Sequence, residues 1–310
     1  MSAPAVPVST EQYADLPRRA GTDTLRICYQ TFGDPAHDAM LLVMGLGGPM
    51  TWWDPRFCRL LADRGFFVIR YDNRDTGRST RVESPVNRRM IVRAFVGRRG
   101  TVRPPYTLGD MAEDGVGLLT ALGIDRAHVV GVSMGGMIAQ TMAIEHPERV
   151  RSLTSIMSTT GRRTAGWVDP RVLPLMLSTR EATLDSYLAS AARMWALIGS
   201  PAYPDPPDDM RARALETWDR GISEAGVARQ MAAILAQPDR TPALHGFTEP
   251  ALVIHGLNDK MVHVSGGRAT ARAIPGAELI LVPGMGHDLP EPLFETFADA
   301  IARTASRAAG

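Results

Sequence analysis

The chain reads as an α/β protein: a mostly parallel sheet flanked by helices, with one helical segment inserted into it. Three observations predict this. Short apolar runs of strand character alternate with stretches of helical period, as β-α-β units and parallel pairing require. The alternation lapses between about Gly161 and Gly246, where the pattern is helical, rich in Met, Trp and Arg, and punctuated by Pro201, Pro204, Pro206 and Pro207. It resumes at Ala251. The organisation expected is one core from residues 1–160 and 247–310, with residues 161–246 as a helical cap.

Taken in order, the first expected strand is Leu25–Phe32, after a start expected to be mobile. Met40–Met44 is a second strand, wholly apolar, that breaks into Gly45-Leu46-Gly47-Gly48. A helix carrying Trp52, Trp53, Phe57, Leu60 and Leu61 follows, then the strand Phe67–Tyr71. Thr107–Leu122 has an amphipathic period, with Thr107 suited to the N-cap and Gly123 to the stop. Ala127–Val130 is a short buried strand, and Met137–Ile144 begins a helical pattern that ends near His146-Pro147. Val150–Ile156 is the next strand. Beyond the insertion come the strand Ala251–His255, a helix near Gly267–Ala273, the strand Glu278–Val282 and a last helix from Leu293.

Bulk properties narrow the function classes. The chain has 310 residues, 45% of them apolar, enough for a substantial core and too many for wholesale disorder. A formal net charge of +1 argues against a nucleic-acid partner. Positive charge is almost all arginine, with Lys260 the only lysine. Cys28 and Cys58 lack motif spacing and read as buried free thiols. Met1–Thr10 has neither a basic region nor a long apolar run, and no run approaches the roughly 20 residues that span a bilayer. A cytoplasmic protein without integral membrane association is expected.

Chemistry concentrates at Gly131-Val132-Ser133-Met134-Gly135, a Gly-x-Ser-x-Gly pattern placed between a strand and a helix. Flanking glycines allow the tight turn that lifts the hydroxyl clear of the sheet. A serine hydroxyl is a poor nucleophile at neutral pH and needs a base, itself oriented by a third group. His287 lies in the glycine-rich loop after the last strand, at the sheet edge where Ser133 also falls. Of the other six histidines, His37, His128, His146, His245, His255 and His263, none has that placement. Asp259 stands in the loop after the preceding strand, giving the chain order Ser, Asp, His. Asp288, beside the histidine, reads as a cap for the following helix. Two backbone N–H donors for an oxyanion are expected from Met134, at the start of its helix, and Leu46, after the Met40–Met44 strand.

Gly45-Leu46-Gly47-Gly48, Asp72-Asn73-Arg74-Asp75-Thr76-Gly77-Arg78-Ser79, Gly131–Gly135, Asp259 and Gly286-His287 together resemble the α/β-hydrolase superfamily. The resemblance covers about Leu25 to Ala302. Within it, Val43-Met44-Gly45, Val68–Asp72, Asp75–Thr80, Ala127–Gly131 and Gly284–His287 are similar to aclacinomycin methylesterase-type esterases, which remove a methyl ester from an anthracycline polyketide. It implies the α/β-hydrolase fold, Ser133, Asp259 and His287 as the triad, Leu46 and Met134 as oxyanion donors, and a pocket between core and cap. One departure from the wider superfamily is Met44, where many members carry a histidine that braces the oxyanion loop. Methionine is also the methylesterase-type residue. Asp72–Ser79 is expected to be a buried, salt-bridged turn under the site.

The expected activity is hydrolysis of a small-molecule carboxylic ester without metal or cofactor. The same triad also serves cofactor-free haloperoxidases and perhydrolases, lysophospholipases and C–C bond hydrolases. A triad-bearing small-molecule receptor is the non-enzymatic rival. Epoxide hydrolase and haloalkane dehalogenase chemistry is disfavoured, since both need a carboxylate where Ser133 stands. Trp52, Trp53, Trp167 and Trp195 are candidate substrate-binding residues, with Trp218, Met176, Met194 and Met210 as further wall candidates. The Arg-rich stretch Val86–Arg103 reads as a solvated helical excursion, with membrane or anionic-substrate contact as its sharper alternative.

Overall fold

A computed structural model describes residues 6–17, 24–86, 89, 91, 102–178 and 183–308. Eight strands form one sheet: β1 (Gln12–Pro17), β2 (Thr24–Phe32), β3 (Asp38–Val43), β4 (Phe66–Tyr71), β5 (Ala127–Val132), β6 (Val150–Ile156), β7 (Ala251–Gly256) and β8 (Glu278–Val282), in the order β1-β2-β4-β3-β5-β6-β7-β8. Pairing is antiparallel at β1/β2 and β2/β4 and parallel from β4 through β8. All residues of β5 and β7 are buried, which explains why both read as unbroken apolar runs rather than alternating ones.

Two layers of helix cover the sheet. Alternate residues of β3 point to opposite faces: Leu41 and Val43 pack with α2 (Leu108–Ala121) and α3 (Met134–Glu145), through Leu118, Ile138 and Met142. Met40 and Leu42 pack the other way, with Phe57 and Leu61 of α1 (Pro55–Asp63) and Phe297 and Ile301 of the last helix, Phe294–Ser306. The start of α2 is fixed by a capping box in which Thr107 Oγ1 accepts from Asp110 N and Asp110 accepts from Thr107 N. Gly123, at φ +70°, turns the chain out of it.

Between β6 and β7 lie α4 (Leu173–Leu177), α5 (Leu184–Ile198), α6 (Pro207–Asp219), α7 (Glu224–Ala236) and α8 (Thr241–Leu244). Helix α9 (Ser265–Ala273) follows β7, so Phe294–Ser306 is α10. Buried ion pairs bind the inserted helices to the sheet layer. Arg220 reaches Asp72 at 2.6 Å and also Glu11, just before β1. Arg229 of α7 grips Asp75 through Nε–Oδ2 at 2.8 Å and Nη2–Oδ1 at 2.6 Å. The Asp72–Ser79 turn is thus buried and salt-bridged.

Two expectations need correction or limits. The start expected to be mobile contains a strand: residues 12–17 form β1, paired in register from Gln12–Tyr29 to Pro17–Thr24. Only Ala14 and Leu16 of this edge strand are buried, so its sequence pattern is faint. The Arg-rich stretch 86–103 falls mostly outside the described residues; within them, Ile91 and Val102 pack against Met231 and Leu235 of α7. Both cysteines are free and buried, and burial pushes each thiol up to about 12. No helix among the described residues is long and apolar enough to cross a membrane.

Candidate active site

Ser133 stands between β5 and α3 at φ +56°, ψ −119°, a conformation a non-glycine residue adopts only when its surroundings enforce it. The enforcement is visible. Ser133 N donates to Ile156 O at 2.9 Å, and Ser158 Oγ donates to Ser133 O at 2.7 Å. A Cβ on Gly131 would lie 2.1 Å from Gly135 O, and one on Gly135 would lie 2.0 Å from Val43 O. The turn closes only because both positions are glycine.

His287 follows β8. Its backbone N donates to Ile198 O at 2.7 Å, at the end of α5, and Gly286 N donates to Ser200 Oγ at 2.8 Å. The inserted helices therefore hold the loop that carries the imidazole. His287 Nε2 lies 3.0 Å from Ser133 Oγ, and His287 Nδ1 lies 2.7 Å from Asp259 Oδ2. Facing a carboxylate, Nδ1 carries the proton, which leaves Nε2 to accept from the serine hydroxyl.

Asp259 is fully enclosed. Its Oδ1 accepts from Met261 N and Val262 N, each at 2.8 Å, which aims Oδ2 at the imidazole. Burial alone would raise its pKa, but the charges and hydrogen bonds of His287 and His255 outweigh it and hold the carboxyl below the usual range. His255 is a partner that sequence reasoning passed over. From β7 its Nε2 donates to Val262 O at 2.8 Å and lies 3.4 Å from Asp259 Oδ2. Its signal was the four-residue spacing to the acid.

Asp288 does not cap a helix. The short 3-10 turn that follows (Glu291–Leu293) is preceded by Pro290, and the Asp288 carboxylate accepts from the Ser200 hydroxyl instead. Burial pushes its carboxyl above the ordinary value.

The Met44–Gly48 loop lies against the serine, since a Cβ on Gly45 would be 3.2 Å from Ser133 Cβ. Asn73 Nδ2 donates to Met44 O at 2.9 Å. Gly47 N donates to Gln230 Oε1 of α7 at 2.8 Å. Among the described residues, no protein acceptor takes the N–H of Leu46 between them. Met134 opens α3, where the first N–H groups have no intrahelical partner.

Ser133, His287, Leu46 and Met134 border a cavity of about 490 Å³ under the inserted helices, within the range of small-molecule sites. Trp52 and Trp195 line it together, rings 5.4 Å apart edge to face, and Trp52 Nε1 donates to Thr217 Oγ1 at 2.9 Å. Met176 and Met194 also line it. Two of the four candidate tryptophans lie elsewhere. Trp53 has no exposed surface and stacks on Phe57 in the sheet core, because the turn at Met50–Trp52 sends adjacent side chains to opposite sides. Trp167 is 49% exposed and stacks on His263, centroids 4.0 Å apart, outside the cavity. Trp218 packs on Tyr187, and neither it nor Met210 lines the cavity. Among the described residues, no three His, Cys, Asp or Glu side chains converge as a metal site.

Comparison with known proteins places this geometry in context. Residues 38–291 match the family model described as alpha/beta hydrolase fold. The chain is 29% identical over 301 residues to rhodomycin D methylesterase DauP of Streptomyces sp. (strain C5), covering 90% of this chain and 94% of that protein. It is 29% identical over 304 residues to rhodomycin D methylesterase DnrP of Streptomyces peucetius, covering 92% and 96%. Among solved structures, the enol-lactonase from Burkholderia xenovorans LB400 superposes with a TM-score of 0.72 at 22% identity, covering 95% of this chain and all of that one.

Proposed function

The chain belongs to the alpha/beta hydrolase fold family, and on that premise we propose that it is a serine hydrolase of carboxylic esters acting through an acyl-enzyme. The observation that carries this reading is the continuous relay from Asp259 Oδ2 through His287 to Ser133 Oγ, at 2.7 and 3.0 Å, ending on a strained serine that borders a cavity.

In this mechanism Ser133 Oγ attacks the ester carbonyl while His287 Nε2 takes its proton. Asp259 keeps the imidazole in the required tautomer and stabilises its charged form. The N–H groups of Leu46 and Met134 receive the oxyanion, a contribution typically worth about 3 kcal/mol per donor. His287 then protonates the leaving alkoxide, and the acyl-enzyme forms. Water, deprotonated by His287, releases the acid. Residues 161–246 act as the cap that roofs the cavity over the core of 1–160 and 247–310.

The substrate we propose is a bulky, largely apolar ester, polyketide-like in size, with a methyl ester the first case to test. Likeness to two methylesterases and a methionine- and tryptophan-lined cavity of about 490 Å³ support that choice. Ser133→Ala is expected to abolish p-nitrophenyl ester turnover while the circular dichroism spectrum stays that of the wild type. Undiminished turnover in the folded variant would sink the proposal. A panel of methyl esters of increasing bulk, compared by kcat/KM, tests the substrate class. A steady decline with acyl size argues against a large substrate.

A further inference from the structure

We infer that Gln230, supplied by α7 of the inserted segment, is a positioning residue for the oxyanion loop, so that the insertion completes the catalytic geometry of the core. The inference rests on the ester-hydrolase reading above.

The loop after β3 has little to hold it. Gly45, Gly47 and Gly48 give it conformational freedom, and Gly47 sits at φ +64°. Beyond the loop's own Gly48 N to Gly45 O bond, two side chains fix its backbone among the described residues. Asn73 holds the carbonyl of Met44, and Gln230 holds the N–H of Gly47. The Leu46 N–H lies between these two clamps.

The orientation of the Gln230 amide follows from its neighbours. Its Nε2 donates to Arg74 O at 2.8 Å and to Thr76 Oγ1 at 2.9 Å. A backbone carbonyl only accepts, so the amide nitrogen must face Arg74 and the oxygen must face Gly47. The side chain has no exposed surface, so its geometry is held on every side. One turn earlier on α7, Val227 presses on the same loop: a Cβ on Gly47 would lie 2.8 Å from Val227 Cγ2. The neighbouring Arg229–Asp75 pair fixes the height of the helix. Met44, beside the loop's first glycine, carries no donor that could brace it locally. The brace comes from across the cavity instead.

A positioning role makes a specific prediction. Gln230→Met keeps length and volume but removes the acceptor for Gly47 N–H. With a p-nitrophenyl ester, Gln230→Met is expected to lower kcat about 10- to 100-fold with KM within about twofold, somewhat less than loss of an oxyanion donor itself. Affinity for phenylboronic acid, whose adduct on Ser133 places an oxygen where the oxyanion forms, falls by a similar factor. A role confined to packing predicts otherwise: the thermal midpoint drops, while kcat and boronate affinity per folded molecule stay unchanged. That result, or a folded Gln230→Met with kcat within twofold of wild type, overturns the inference.

Should Gln230→Met fail to fold, hydrogen exchange of 15N-glycine-labelled wild-type protein decides. The Gly47 N–H is expected to be protected, and exchange at the rate of a free loop overturns the clamp. Failure of the underlying reading looks different, because wild type and Ser133→Ala would then be equally inert toward esters.

Discussion

One carboxylate determines which ring nitrogen of His287 bears a proton. Asp259 Oδ1 is occupied by two backbone N–H groups, so only Oδ2 is left to receive His287 Nδ1–H. In Asp259→Asn an amide N–H faces Nδ1, the proton moves to Nε2, and the base confronts Ser133 with a donor. We expect kcat to fall by a factor on the order of 10⁴ with the fold intact. Steady-state kinetics beside circular dichroism will check this, and retention of more than a tenth of wild-type kcat would place the orienting acid elsewhere. That Ser133, Asp259 and His287 would meet was legible in the sequence because each follows a strand, and parallel strands deliver their C-terminal ends to one edge. Trp53 and Trp167 were misread for the complementary reason. Hydrophobicity says that a ring will be covered, and not which neighbour covers it.

At the scale of elements, all seven strands from β2 onward and the helices of the sheet layers were readable to within a few residues. Their apolar runs are long and their caps, such as Thr107, use recognised chemistry. Strand β1 was not readable, since an edge strand needs few inward apolar residues and this one buries two. Nor was the docking of α7, which depends on Arg229, Gln230 and the distant Asp75 and Gly47. Polar partners separated by more than 150 residues leave no periodic trace. The Arg229–Asp75 pair sets up a test at this scale. Arg229→Met strands the Asp75 carboxylate, whose side chain has no exposed surface, and should cost about 3 kcal/mol or more in urea unfolding. Replacing both together, as Arg229→Met with Asp75→Asn, should recover part of that loss. If the double variant is as unstable as the sum of the single ones, the pair does not act as a unit.

For the whole molecule, stability should depend on pH through a histidine far from the site chemistry. His128 of β5 is buried, with Nδ1 at 2.8 Å from Ser152 Oγ, and burial pushes its pKa down to about 4 from 6.5. Between those values the unfolded chain binds a proton at this position and the folded chain does not. Unfolding then takes up a proton, so stability is lost as pH falls from about 6.5 toward 4, by up to about 3 kcal/mol. The measurement is the difference in unfolding free energy between wild type and His128→Gln at pH 7 and pH 4.5. The wild type should lose more on acidification, and equal losses would show that His128 is not the group responsible.

The strand order also has a consequence in time. Beyond β5, which joins beside β3, the strands β6, β7 and β8 each join the sheet beside the strand made just before them, so this half of the sheet extends in the order of synthesis. At about 5–20 residues per second, the 154 residues between Ser133 and His287 take roughly 8–30 s to emerge from the ribosome. Through that interval the nascent chain has its serine and no base. On the proposed mechanism, hydrolysis must therefore wait until His287 has emerged and its loop has packed beside Ser133.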